Sequence, residues 1–167
     1  MTKLHIENVH INLGSRMPSM EPILLAALAS VGKKKPWPAP TNMPAIGDKW
    51  PGTEAIYAGK SLSRDGTKIV DLIFWLDESK EGRSYEDNLK YCESVSKETN
   101  SHAATRQQAI VINDNLRHLL SKDHGYWTET KDNTGKYAFV QGFNNGFQFD
   151  RYLNGDYRAL AVSRFAL

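Results

Sequence analysis

An α+β fold with mostly antiparallel strands is predicted by three observations. Two capped helical segments lie together in mid-chain, apolar runs of strand length flank them on both sides, and all seven prolines of the 167 residues fall at or before Pro51. Proline removes a backbone donor and locks φ, so the proline-free remainder is the part able to build continuous ladders and helices. The chain therefore divides into an N-terminal arm, residues 1–51, and a body, residues 52–167, with the first strand-like run of the body at Ile56-Tyr57-Ala58-Gly59.

In the arm, Leu4, Ile6, Val9 and Ile11 alternate with one slip, predicting a strand with a bulge. Ser19 offers an N-cap, Pro22 suits a first helical turn, and a short apolar helix from Ile23 to Ala29 ends before Gly32 and Lys33-Lys34-Lys35. Pro36, Pro38 and Pro40 around Trp37 favour an extended polyproline strap. In the body, Ser63-Arg64-Asp65-Gly66 separates two apolar runs and predicts a hairpin. The second run, Ile69 to Leu76, is apolar at nearly every position, as expected of a central strand covered on both faces.

Ser84-Tyr85-Glu86-Asp87 is a variant capping box, followed by Tyr85, Leu89, Cys92 and Val95 on one helical face. Thr105-Arg106-Gln107-Gln108 is a full capping box, followed by Ala109, Ile112, Leu116 and Leu119, and predicts a helix to about Ser121. Four short strands complete the chain as a meander, with Asn144-Asn145-Gly146 as its tight turn.

Composition excludes several classes. Cys92 is the only cysteine, so an intrachain disulfide and a cysteine-rich zinc site are impossible. The arm holds six Lys/Arg against three Asp/Glu and the body fifteen against sixteen, so the net +2 belongs to the arm and is too small for a nucleic-acid footprint. No apolar stretch approaches the roughly 20 residues that span a bilayer. Without a basic leader before Ile23, the expectation is synthesis in the cytoplasm without a signal peptide.

No residue set makes an active site by its spacing. His102, His118 and His124 do not match a usual ligand spacing, and each reads as an exposed or locally bonded histidine. Asn113-Asp114-Asn115 lies on a helix, where successive side chains diverge by about 100° and cannot share one ion. Cys92, beside Leu89 and Val95, reads as a small buried hydrophobe. The expectation is a protein without catalytic residues, metal or cofactor.

The last third is rich in aromatic and asparagine residues, a composition suited to recognition and equally to a plain β-meander with polar turns. The candidate ligand- or partner-binding residues are Asn144, Asn145, Tyr152 and Asn154, with Trp127 and Glu129 from the start of the meander. Trp127 is also expected at or near the core, which leaves its exposure to decide its role. Trp37, Lys33, Lys34 and Lys35 are the candidate partner contacts of the arm.

Tyr126-Trp127-Thr128-Glu129-Thr130, the Tyr137-Ala138-Phe139-Val140 strand, Asn145-Gly146 and the closing run Arg158 to Arg164 resemble the end of the Lcl C-terminal-like domain family. Thr105-Arg106-Gln107-Gln108 falls where that family has Leu-Pro-Thr followed by x-x-Glu, and the resemblance covers roughly residues 52–167. It implies a C-type-lectin-like fold of phage and bacterial proteins, used as a binding module. The implied function is non-enzymatic recognition of a protein or glycan through the C-terminal aromatic and asparagine-rich face, with attachment to a virion through the arm. The alternative is an intracellular phage inhibitor of a host or defence protein. Self-association is open, and neither nucleic-acid binding nor membrane insertion is expected.

Overall fold

The computed structural model describes residues 40–77 and 80–166. The predicted arm strand, helix and strap, and with them Trp37, Lys33, Lys34 and Lys35, lie outside the described residues.

Among the described residues, seven strands and two helices follow one another as β1 (Ile56–Leu62), β2 (Ile69–Trp75), α1 (Tyr85–Val95), β3 (His102–Ala103), α2 (Arg106–Leu116), β4 (Gly125–Lys131), β5 (Tyr137–Gly142), β6 (Gln148–Tyr152) and β7 (Ala161–Ala166). They form two sheets, one ordered β1-β2-β7-β3 and one ordered β4-β5-β6, with every strand pairing antiparallel. The α+β class with two helices and antiparallel sheets is therefore the observed architecture.

Local chemistry sets the element ends. Asp65 accepts from the Ser63 and Thr67 hydroxyls and the Thr67 N–H, and these bonds hold its carboxyl far below the usual range. Gly66 supplies the positive φ of 72° that closes the hairpin. Ser84 Oγ accepts from the Asp87 N–H at the start of α1. At α2, Thr105 Oγ1 accepts from Gln108 N–H while Gln108 Oε1 accepts from Thr105 N–H. The α-helix stops at Leu116, short of Ser121, and tightens into a 3-10 turn over Arg117–Leu119. There the Leu120 N–H turns back to the Arg117 carbonyl and the Tyr126 hydroxyl accepts from the Ser121 N–H, satisfying donors that a longer helix would have used internally.

Strand β2 is central, as its apolar run predicts. Leu72, Ile73 and Phe74 are fully buried; the one charge, Asp71, is held by the Tyr57 hydroxyl at 2.8 Å and Lys60 at 3.2 Å. On one face of this sheet Leu72, Phe74 and Val162 pack against Ala109, Ile112 and Leu116 of α2. The other face is closed by Trp50, which stacks on Phe165 at 4.7 Å and meets Tyr57 at 5.5 Å. Residues 40–51, grouped with the arm because of their prolines, thus contribute a core side chain to the body: an indole with 1% of its surface exposed belongs to what it packs on.

The closing run does not continue the meander. Arg158–Leu160 crosses between the sheets: Arg158 N–H donates to Gly125 O, its carbonyl accepts from Trp127 N–H, and Leu160 O accepts from Ala104 N–H. From Ala161 the chain runs as β7 between β2 and β3. Inner-face alternation marks a strand as half-buried but leaves its sheet undetermined, and β7 is apolar enough to be central.

Candidate functional site

The exposed aromatic surface of the body is built on the β5–β6 hairpin. Gly142 N–H donates to Phe147 O across the turn, and Gly146 adopts φ 77°, where an added Cβ would also press on Asn113 of α2 at 3.2 Å. Phe143 anchors the turn, buried edge-on against Tyr126. Asn144 Oδ1 accepts from Asn145 N–H and Asn145 Oδ1 from Phe147 N–H, so both side-chain oxygens brace the turn while both residues remain exposed. Between them and β6, Phe147 stands 68% exposed.

Alternation along the hairpin sends Ala138, Val140 and Phe149 to one face, against Trp127 and Tyr85, and Tyr137, Phe139, Gln148 and Tyr152 to the other. On that second face the Tyr137 and Tyr152 rings lie 4.5 Å apart, and Tyr152 is 62% exposed. Arg106, at the start of α2, stacks its guanidinium 3.8 Å from the Phe139 ring and donates to Gln148 Oε1 at 2.8 Å. Gln148 Nε2 donates back to Arg106 O and to Gln141 Oε1, both at 2.9 Å. Rigid rings, an arginine and amides are thus gathered on one face of β5 and the edge strand β6, beside the start of α2.

Of the residues singled out in the sequence, Asn144, Asn145 and Tyr152 lie on this one hairpin. Asn154 is exposed in the next turn, where Gly155 N–H donates to Tyr152 O. Two others do not belong to the surface. Trp127 is fully buried, edge-on to Tyr85 and Tyr157, with Nε1 donating to Arg83 O at 2.8 Å, and has no surface to offer a ligand. Glu129 is enclosed because Arg64, from the β1–β2 turn, engages both its oxygens, at 2.8 and 2.7 Å. Burial raises its carboxyl and the arginine opposes that rise, so Glu129 ties the first hairpin to β4. Phe147, Tyr137, Phe139 and Arg106 were not among the candidates; the alternation of Tyr137, Phe139 and Gln141 was the signal that could have grouped part of the set.

The nucleophile and base candidates are enclosed. Cys92 is fully buried, with Ala103, Ala159 and Ala161 in its cluster, and burial pushes its thiol up to about 12. Alkylation of Cys92 should accordingly be slow in native buffer and fast after denaturation; equal rates in both, followed by intact mass, would show that the thiol is open. His102 is buried rather than exposed, and it is locally bonded: Nδ1 lies 3.5 Å from Asn100 O, while Nε2 has no hydrogen-bond partner among the described residues. Burial first, then the charge of Arg64, lowers its pKa to about 4. Among the described residues no three His, Cys, Asp or Glu side chains converge as a metal site, and no helix is long and apolar enough to cross a membrane. No protein-family model and no curated protein matches the chain.

Proposed function

We propose that the protein is a non-enzymatic phage or prophage recognition module with a C-type-lectin-like body, binding a protein or glycan through the face of the β5–β6 hairpin. The observation that carries this reading is the exposure of two large rings, Phe147 and Tyr152, on a hairpin whose turn is internally hydrogen-bonded. Aromatic rings lose little conformational entropy on binding and contribute large contact area, and neighbouring arginine and amide groups supply direction. The order hairpin, two helices, β4–β6 sheet supports the family resemblance of the body. The burial of Cys92 and His102 supports a role without covalent or acid–base chemistry. Attachment to a virion through the arm belongs to the same proposal.

The test replaces Phe147 and Tyr152 together by serine and leaves Asn144 and Asn145 in place, because their oxygens hold the turn. In affinity capture from host extract, a partner retained by the wild-type protein should be lost by the double variant with its circular dichroism spectrum and melting temperature unchanged. Retention of that partner by the folded variant would overturn the proposed face. Mass spectrometry of purified particles separates the two cellular settings: stoichiometric copies place the protein in the virion, and absence favours the intracellular inhibitor.

A further inference from the structure

A second site is formed where the end of α2, the start of β4 and the crossing segment before β7 meet. They enclose an open cleft of about 780 Å³, within the size range of small-molecule sites. Arg158, Tyr126, Ser121, His118, His124 and Lys80 contribute to its walls.

Among the described wall residues, the positive groups outnumber the carboxylates left without a partner. Asp77 is taken: it accepts from Arg83 at 2.7 Å and from the Tyr91 hydroxyl at 2.9 Å. Asp123 is the other carboxylate among the described wall residues. Against it stand Arg158 and Lys80, with two imidazoles beside them. The backbone of Arg158 is fixed by its bonds to Gly125 and Trp127, and its side chain is half-buried with no ion pair or hydrogen bond to any described residue. A guanidinium on a concave wall without a protein acceptor is open to one from solution, and its planar fork matches the two oxygens of a carboxylate or phosphate.

Neutral donors are also present. Ser121 Oγ accepts from the Asp123 N–H and Tyr126 Oη accepts from the Ser121 N–H, which leaves both hydroxyl protons able to donate. Lys80, on the wall, has φ 56°, a left-handed conformation that is costly for a residue with a Cβ and is concentrated at binding sites.

We propose that this cleft binds a small acidic ligand, whose carboxylate or phosphate is received by Arg158. The Ser121 and Tyr126 hydroxyls supply further donors, and Lys80, His118 and His124 supply the surrounding polar wall. The site is separate from the aromatic hairpin, and its existence does not rest on the function proposed for that face.

Glucuronate and glucose 6-phosphate, with neutral glucose as control, distinguish the two kinds of oxyanion. Titration of the full chain followed by amide NMR should give saturable shifts with at least one charged sugar, centred on Ser121, Tyr126 and Arg158, and none with glucose. Arg158→Gln should weaken that binding roughly tenfold or more, as expected for loss of a charge-assisted hydrogen bond, at unchanged melting temperature. The mapping on the wild-type protein stands as a test even where the variant is unstable. The proposal is overturned by absence of saturable shifts with both charged probes at millimolar concentration, by shifts centred elsewhere, by equal binding of glucose, or by wild-type affinity in a folded Arg158→Gln protein.

Discussion

Trp127→Ala should lower the free energy of unfolding by about 3–5 kcal/mol, measured by urea denaturation followed by circular dichroism. The side chain is fully buried and sits between Tyr85 and Tyr157, so truncation leaves a cavity bounded by rings from α1 and from the segment before β7. It also removes the Nε1–H donor to the Arg83 carbonyl. Both losses act at one place, because Trp127 is where the β4–β5–β6 sheet meets α1. Trp127→Phe, which retains much of the volume but loses the donor, should cost less than the alanine variant. Against a typical domain stability of about 5–15 kcal/mol, the alanine cost is a large fraction of the whole. A loss below about 1 kcal/mol would be inconsistent with a buried indole.

His102 makes the second large contribution, and it depends on pH. Its folded pKa of about 4 lies below the ordinary histidine value of 6.5. Between these values the unfolded chain takes up a proton that the folded chain excludes, so this stability is fully present above about pH 6.5 and is lost as pH falls toward 4. The loss from this one group amounts to on the order of 3 kcal/mol. His102→Gln cannot titrate. Its stability relative to wild type should therefore rise by that amount when denaturation curves taken near neutral pH are compared with curves taken at about pH 4. The exposed carboxylates of the turns act equally in both proteins and cancel. A stability difference independent of pH would refute the burial of a neutral imidazole at this position.

Burial at His102 could not be read from its neighbours in sequence. Ser101-His102-Ala103-Ala104 has no strand-length apolar pattern, and β3 is only two residues long. It is buried because His102 and Ala103 pair with Val162 and Ala161, sixty residues away, at the edge of the four-stranded sheet. The same holds for the two candidate sites. Asn144 and Asn145 were accessible to sequence reasoning because a tight turn advertises itself through residues that tolerate positive φ. Arg106 and Phe139 were not, since their stacking joins a helix start to the middle of a later strand.

By itself the sequence determined the α+β class, the β1–β2 hairpin, both helix N-termini, the β5–β6 turn and the burial of Cys92. Each of these follows from bonds within a few residues or from the period of apolar side chains. Only the tertiary structure decided the rest. It divided the closing strands between two sheets, drew Trp50 into the body onto Phe165, and set Glu129 against Arg64. It also brought His118, His124 and Arg158 to the walls of one cleft. Alternation specifies which side of a strand is buried, but strand partners are chosen by packing and hydrogen-bond satisfaction across long separations, and those are properties of the assembled chain.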